Sequence, residues 1–248
     1  MTDSLLSLMP TQADGDRPWL VWYAYGERVE LTGRVLAMWQ SKISGFLSQE
    51  LATGARVHLA PPPHWRTVAW CCGTWLAAGS VVLDDDGGPS TDATATRVAP
   101  QVSVAFEAGS LDPRAELQVL VARPSLALAW NGELPPLVVD GVADLMAFPD
   151  RAEPARCAPG APALEITGVD LARVLSRQQL VDGLPTAAAR ATREAGARAV
   201  AVEETRVARA VRCVLAAWRE GLTAVLLSGE LDAAARRTAR RQEGALDD

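Results

Sequence analysis

Residues 56–83 limit the folds open to this chain more than any other part of its sequence. A short apolar run at 57–60 ends at three consecutive prolines, which cannot continue the hydrogen bonding of a strand. Apolar residues then recur at helical spacing over 64–78, and Gly79 ends this helix before a second apolar run at 80–83. Because a helix joining two buried strands forms a βαβ unit, a parallel sheet is predicted.

The same order of pieces recurs near the other end of the chain, at residues 198–227. An apolar strand, a helix, a glycine and a closing apolar strand follow one another there. Three residue types correspond in the two stretches: Cys72, Trp75 and Gly79 in the first, and Cys213, Trp218 and Gly221 in the second. The spacing differs, so the likeness is one of plan and not of a short repeat. The fold class predicted is α/β, with two similar subdomains of mixed or mostly parallel sheet flanked by helices.

Changes in composition predict where these subdomains begin and end. Residues 1–16 are expected to be a flexible N-terminus. Residues 17–150 are assigned to the first α/β subdomain and 158–230 to the second, because the proline-rich section 124–162 has few periodic segments. Residues 231–248 are predicted to be a C-terminal helix with an acidic tail. Its arginines are interpreted as a solvated face, with an anion or acidic partner as the alternative: Arg236, Arg237, Arg240 and Arg241.

Three other segments carry clear local signals. Residues 19–31 are predicted to form a hairpin, because two apolar strands flank a turn. Thr32 is a predicted N-cap of a helix that runs to about residue 51, since its hydroxyl can accept a backbone N–H. An amphipathic helix is predicted at 170–181, with four apolar side chains facing inward: Leu171, Val174, Leu175 and Leu180.

The composition excludes several classes of function. A net charge of −6 and a pI near 5.1 argue against a nucleic-acid binder. No apolar stretch approaches the roughly 18 residues of a membrane span, so no membrane association is expected. The N-terminal leucine-rich patch follows no basic segment, so a signal peptide is not expected. The four cysteines lack ligand spacing and are expected to be reduced thiols in a cytoplasmic protein.

Lysine is nearly missing from the chain. Of the 24 basic residues, all except Lys42 are arginine. A reaction that requires a lysine therefore has one candidate in this sequence. Lys42 lies on the first amphipathic helix, where it is expected to be a solvated surface residue.

Four segments, taken in order, resemble a known superfamily: WLVWYAYGERVELTGRVLAMW at 19–39, ARVHLAPPPHWRTVAWCCGTWLAAGSVVL at 55–83, GVADLMAFPD at 141–150 and APGAPAL at 158–164. The first two are similar to the opening of the adenylate-forming, AMP-binding enzymes, which include the acyl-CoA synthetases. All four resemble a short actinobacterial family that is weakly similar to those enzymes. The likeness covers residues 18–227 and rests on order and spacing. It implies the fold of a truncated N-terminal region without the catalytic motifs.

The resemblance also implies where ATP would be held. In the superfamily, a loop rich in Ser, Thr and Gly with a lysine follows a strand like ALEIT, because amides and a cation must hold the phosphates. Here ALEIT at 163–167 runs directly into GVDL at 168–171, so Thr167 and Gly168 are all that corresponds to the loop. They are the sole cofactor-binding candidates. The superfamily's nucleotide-binding aromatic, magnesium-binding Glu, ribose-binding Asp and catalytic lysine come later, so no catalytic residue is assigned and no ATP or AMP cofactor is expected.

The two histidines, His58 and His64, are the candidates for a metal pair or a histidine base. Neither has a carboxylate or cysteine at ligand spacing, which makes a poor zinc site. No metal site is therefore predicted. His64 follows the three prolines and is expected to lie at the N-terminus of the following helix.

Three other clusters are interpreted as structural. The cysteines at 71–72 are expected to pack as small hydrophobes, with redox activity as the alternative. The acidic run at 84–86 is interpreted as a solvated turn, with a hard-cation site as the alternative. Trp65 and Trp130 lie in or near loops, where they belong to the core or, alternatively, line a pocket or a protein contact.

These observations favour a catalytically inactive relative of the adenylate-forming enzymes. Such a scaffold would bind a small ligand or a partner protein in the cleft between the two halves. A second hypothesis is residual binding of a nucleotide or acyl-adenylate, with ligase-type activity completed by another chain. A third is a stable remnant with an interaction surface, such as a homodimer that uses a sheet edge. Fold alone does not decide among them.

Overall fold

A computed structural model of the chain describes residues 3–84, 98–167 and 173–245. The strands in these residues are β1 (Pro18–Ala24), β2 (Glu27–Thr32), β3 (Arg56–Leu59), β4 (Ser80–Asp84), β5 (Val102–Ala105), β6 (Leu117–Leu120), β7 (Val138–Asp140), β8 (Pro162–Thr167), β9 (Arg173–Ser176), β10 (Ala199–Val202) and β11 (Thr223–Leu227). The α-helices are α1 (Gly33–Glu50), α2 (Trp65–Leu76), α3 (Arg177–Asp182), α4 (Ala187–Glu194), α5 (Val207–Arg219) and α6 (Ala233–Glu243).

The strands form two sheets. The larger has seven strands in the order β7-β6-β5-β3-β4-β8-β9, all parallel to their neighbours except β9, which is antiparallel to β8. The smaller has the order β10-β11-β1-β2, with β2 antiparallel to β1 and the other pairs parallel. The α/β architecture of two mostly parallel sheets flanked by helices is therefore confirmed.

Both predicted βαβ units are present. In each, the two strands joined by the helix are neighbours, β3 beside β4 and β10 beside β11. The hairpin of β1 and β2 is confirmed, and Thr32 is the N-cap of α1, because its Oγ1 accepts the N–H of Val35 at 3.3 Å. Local patterns thus gave these elements correctly.

The sheets divide the chain differently from the predicted subdomain ranges, 17–150 and 158–230. β1 and β2, from the first range, hydrogen-bond into the sheet that contains β10 and β11. β8 and β9, from the second range, extend the larger sheet beyond β4. The proline-rich section therefore does not separate the two sheets, because each sheet draws strands from both sides of it. The final range, 231–248, contains α6, and its last residues lie outside the described part.

Two local predictions are corrected by the structure. Residues 3–16 were expected to be flexible, yet they form two short 3-10 helices whose neighbours Leu5 and Met9 lie in the core. The helix predicted at 170–181 is a strand, β9, followed by the short α3. Leu175 pairs opposite Leu164 in the sheet, while Val174 is exposed. Leu171 lies outside the described residues.

One core joins both sheets. It includes aromatic residues from β1, α2 and α5, and two indoles in it hydrogen-bond to backbone across the fold. Trp75 Nε1 donates to the carbonyl of Ala163 at 2.8 Å, and Trp218 Nε1 donates to that of Trp19 at 2.9 Å. Within the described residues, no helix is long and apolar enough to cross a bilayer.

Candidate functional site

A cleft of about 400 Å³ lies where strand ends from the two sheets meet. β1, β3, β5, β6 and β11 all reach it with their carboxyl ends or with the residues that follow them. In open α/β sheets, ligands bind outside the carboxyl ends of the strands. The cleft also falls within the usual size of small-molecule sites, roughly 300–1,000 Å³. It is therefore a candidate ligand site.

Three aromatic rings from three elements pack against one another in the wall of the cleft. The His64 ring lies edge-on to Trp22, with 4.6 Å between ring centroids, and edge-on to Phe106, at 5.0 Å. His64 is the N-cap of α2, as expected from sequence, because its Nδ1 accepts the N–H of Arg66 at 3.0 Å. The helix cap thus fixes the orientation of a ring that lines the site.

His64 is held neutral by its surroundings. Burial, and then the nearby positive charges of Arg66 and Arg123, lower the pKa of His64 from 6.5 to about 3. The imidazole is therefore uncharged at neutral pH, so a role as an imidazolium acid or as an anion-binding cation does not fit it. It acts as an aromatic wall.

The charged residues at the rim of the cleft are paired with groups of the protein. Arg123, just beyond β6, forms an ion pair with Glu230, just beyond β11, and both side chains are about half exposed. Glu27, at the start of β2, accepts the hydroxyl of Ser125 at 2.7 Å and its N–H at 3.3 Å. Both pairs connect the smaller sheet to the segment after β6, so they tie the two sides of the cleft together.

A buried arginine supports this segment from behind. Arg66 donates from Nη2 to the carbonyls of Ser125 at 3.1 Å and Ala127 at 3.2 Å. Its guanidinium also lies 4.5 Å from the Trp65 ring centroid and 5.2 Å from that of Trp39. Burial lowers the pKa of Arg66 to about 10, so it stays charged at neutral pH. Trp65 packs here in the core, which was the favoured interpretation of the two drawn from sequence.

Thr167, the predicted remnant of the phosphate loop, does not reach the cleft. It is buried at the end of β8, where its Oγ1 donates to Asp84 Oδ1 and lies 3.4 Å from the carbonyl of Leu83. Its hydroxyl is therefore engaged by β4. Gly168, the other predicted residue, lies outside the described residues, as do the aspartates at 85–86.

His58 has a carboxylate partner that sequence spacing did not indicate. Its Nε2 is 3.0 Å from Asp84 Oδ2, and its Nδ1 is 3.1 Å from Ser103 Oγ. Ser103 is fully buried and accepts the N–H of Asp112 at 2.8 Å, so its hydroxyl cannot meet a substrate. The chain of contacts is a buried link between three neighbouring strands and not a nucleophile site. Within the described ranges, no group of three metal-ligating side chains occurs.

Lys42 is not the solvated residue expected from sequence. It is buried, and its Nζ donates to the carbonyl of Phe148 at 2.7 Å and pairs with Asp150 at 2.7 Å. These partners follow it by more than a hundred residues in the chain, so its burial leaves no local trace in the sequence. The lysine fastens the segment after β7 to α1, and it is absent from the lining of the cleft.

Other candidate residues are also accounted for by contacts within the chain. Cys71 and Cys72 are buried thiols whose pKa is raised by burial, which makes them unreactive. In the arginine cluster of α6, Arg236 and Arg240 pair with Glu203, so half of that cluster is engaged and not merely solvated. The backbone N–H of Trp130 donates to Asp140 Oδ2 at 2.7 Å.

Sequence reasoning missed the pair that spans the cleft, Arg123 and Glu230. They are 107 residues apart, and neither belongs to a motif. One signal was available: each follows an apolar strand of a predicted parallel sheet, where ligand-contacting residues concentrate. Without the pairing of β1 with β11, that signal could not bring the two residues together.

Comparisons with known proteins fit this geometry. No family profile matches the chain. The TIGR03089 family protein of Mycobacterium tuberculosis is 36% identical over 114 residues, which cover 41% of this chain and 47% of that protein. Among solved structures, the Brucella canis acyl-CoA synthetase is similar over 97% of this chain and 48% of its own, with a TM-score of 0.71 and 13% identity.

Two further structures extend the likeness. Acetoacetyl-CoA synthetase from Streptomyces lividans matches 99% of this chain and 41% of its own, with a TM-score of 0.69 and 16% identity. The Klebsiella oxytoca NpsA N-terminal subdomain, in complex with 3-hydroxyanthranilyl-AMSN, matches 98% and 58%, with a TM-score of 0.69 and 12% identity. This chain spans about half the length of the relatives first named, 47% and 48%. Its fold is that of the N-terminal region of the AMP-binding, adenylate-forming enzymes.

Proposed function

We propose that this protein is a catalytically inactive relative of the adenylate-forming enzymes that binds a small ligand in the cleft between its sheets. The observation that carries the proposal is the state of the phosphate-loop position. The Thr167 hydroxyl is committed to Asp84, and the five residues that join β8 to β9, GVDLA at 168–172, include no lysine, arginine, serine or threonine. ATP phosphates need such donors and a cation as charge moves during adenylation.

The position of the single lysine supports the same proposal. Lys42 is held by Phe148, Met146 and Asp150 in the interior, so it cannot supply the missing cation without breaking these contacts. Removing a buried charge from its partners is strongly unfavourable. The cleft, in contrast, is open and mostly lined by apolar side chains, which suits binding without chemistry. We assign the protein to the interior of the cell as part of this proposal, in keeping with its free cysteines.

A second candidate function is residual recognition of an acyl-adenylate, completed as a ligase by another chain. The observation that favours it is the NpsA N-terminal subdomain, which shares this fold and was solved in complex with 3-hydroxyanthranilyl-AMSN. The two candidates differ in what they bind and in whether ATP is consumed. A protein partner or a second copy of the chain, seated on the cleft, is the remaining form of the scaffold hypothesis.

The test combines a thermal-shift titration with an ATP–pyrophosphate exchange assay. Mg–ATP, AMP and a non-hydrolysable acyl-adenylate analogue are titrated to millimolar concentrations. A ligand at one hundred times its Kd stabilises the fold by about 2.7 kcal/mol, which is a readable shift. We expect no saturable shift with any nucleotide and no exchange. A shift specific to the adenylate analogue would transfer support to the second candidate, and pyrophosphate exchange would refute catalytic inactivity.

A further inference from the structure

The chemistry of the cleft narrows the class of ligand, on the premise that the proposed function is right. The apolar part of its lining is rigid. Three prolines contribute to it, Pro62 and Pro63 after β3 and Pro124 after β6, and their ring-locked backbones cannot readily rearrange. The ring of His64 is fixed by its cap and by edge contacts to its two aromatic neighbours. A preformed wall of this kind favours a rigid ligand, because little ordering accompanies binding.

The charged side chains that line the cleft already interact with other groups of the protein. Of the charged residues that line the cleft, Arg123 and Glu230 pair with each other. Glu27 accepts hydrogen bonds from Ser125, and its negative charge interacts with the buried Arg66 behind the lining. An anionic ligand would have to displace Glu230 from Arg123. A cationic ligand would have to displace Arg123 from Glu230 or compete with the positive charge of Arg66 for Glu27. Either exchange replaces one charge contact by another and gains little free energy, because the Arg123–Glu230 pair is half exposed. The charge of the ligand must also leave water for a mostly apolar cleft, which opposes binding of an ion.

Aromatic side chains lie at the exposed mouth of the cleft as well as in its buried wall. Tyr25, in the turn between β1 and β2, lines the cleft and is 86% exposed. Trp22, two residues before the end of β1, and Phe106, directly after β5, lie deeper and are almost fully buried. Flat rings pack well against aromatic edges and proline faces, in offset or edge-on arrangements. The geometry points to an uncharged aromatic molecule as the ligand class of this cleft.

The test uses three probes that share a naphthalene ring and differ in charge. These are 2-naphthylmethanol, which is neutral, 2-naphthoate, an anion, and 2-naphthylmethylamine, a cation at pH 7. Binding to the full chain is followed by ligand-observed NMR titration. We expect saturable binding of the alcohol that is about tenfold tighter than that of either ion, because an ion must lose water in a mostly apolar cleft whose charged groups are already engaged.

A matched pair of variants shows where the probe binds. Gly229 lines the cleft, and a Cβ added there would meet only Thr205 Cγ2, at an ordinary 3.7 Å. Gly229→Leu should therefore fold and fill part of the cleft. Gly109→Leu is the control, since an added Cβ there meets nothing within 4 Å and the residue lies outside the cleft. We expect Gly229→Leu to weaken binding of the alcohol about tenfold and Gly109→Leu to leave it unchanged.

Each outcome bears on a different statement. Naphthoate binding most tightly, with the same sensitivity to Gly229→Leu, would overturn the uncharged class while the cleft remains a binding site. Equal binding of the alcohol to both variants would place it elsewhere and overturn the inference. No saturable binding of any probe would also overturn the aromatic class. None of these results touches catalytic inactivity, which falls only through the exchange assay.

Discussion

The two strand–helix–strand units share a plan and differ in how their helices are buried. All residues of α2 are buried, including its charged residue, Arg66. In α5, an apolar face is buried while arginines such as Arg209 point outward. α2 contacts α1 as well as β3 and β4, whereas α5 contacts strands of both sheets and keeps one face in solvent. The same local plan therefore yields a central helix in one place and a surface helix in the other, depending on what covers it.

This difference in burial also explains which residues each helix can accommodate. A helix buried on all sides needs small residues where another helix approaches and cannot hold unpaired charge. α2 meets both demands, with Gly73 facing α1 and Arg66 bonded to three carbonyls. α5 needs only the apolar stripe and a polar face. Three substitutions sharpen this contrast, from the largest expected effect to the smallest.

Trp75→Ala should lower the free energy of unfolding by about 3–5 kcal/mol, because it leaves a large cavity in a fully buried site. It also removes the indole N–H that Ala163 accepts. Arg209→Ala, on the exposed face of α5, removes a surface ion pair with Glu204 and should cost less than about 1 kcal/mol. Urea unfolding followed by circular dichroism measures both. Equal losses would mean that α2 is no more central to the fold than α5.

Gly73→Ala should destabilise the protein by about 1–3 kcal/mol through overpacking. The new Cβ would meet Ile43 side-chain atoms at 2.5 Å and the carbonyl of Gln40 at 3.0 Å, both on α1. Gly45→Ala is the matched control, because its Cβ would meet the Phe148 ring at 3.3 Å, which a small shift can relieve. Alanine also has the better helix propensity there. If the control is the more damaging of the two, α1 and α2 do not pack as closely as described.

Acidification should destabilise the start of α2 through His64. The pKa of His64 in the folded protein, about 3, lies below the usual 6.5. Between these two pH values the unfolded chain binds a proton at His64 that the folded protein does not bind. Stability therefore falls as the pH decreases from about 6.5 towards 3, by at most about 1.4 kcal/mol per pH unit from this group.

The control for this pH effect is His64→Asn. Asparagine can cap α2 by accepting the N–H of Arg66 but does not titrate. The slope of unfolding free energy against pH, between pH 6 and pH 4, should be shallower in this variant. The absolute stability is not the readout, since the smaller side chain also loses ring contacts with Trp22 and Phe106. Parallel slopes would show that His64 accepts its proton in the folded state.

Local patterns were sufficient for the parts of the fold whose contacts are local. The two strand–helix–strand units, the first hairpin and the cap at Thr32 are each set by residues within one turn or one crossover. The interpretation of 170–181 as one helix was wrong for residues 173–176, because apolar spacing there fits a helix and a strand alike, whereas the following residues form α3. Pairing of β9 with β8, which places Leu175 opposite Leu164, decided the matter.

Contacts between distant segments were not predictable in the same way. The burial of Lys42 depends on backbone carbonyls and a carboxylate that lie about a hundred residues later in the chain. The His58–Asp84 contact depends on the pairing register of β3 with β4. The cleft follows only from the order of strands in both sheets. A cleft between the two halves was expected from the sequence, but nothing in the sequence indicated that Arg123 and Glu230 span it.

The position of β1 in its sheet has a consequence for folding during translation. β1 lies between β2 and β11, with Leu20 beside Ala224. At about 5–20 residues per second, the roughly 200 residues between these partners take about 10–40 s to synthesise. For that time the nascent chain displays an apolar strand rich in tryptophan, with one edge unpaired, to every chaperone and every other nascent chain nearby. Mutations that only raise the stability of the finished fold do not shorten this interval.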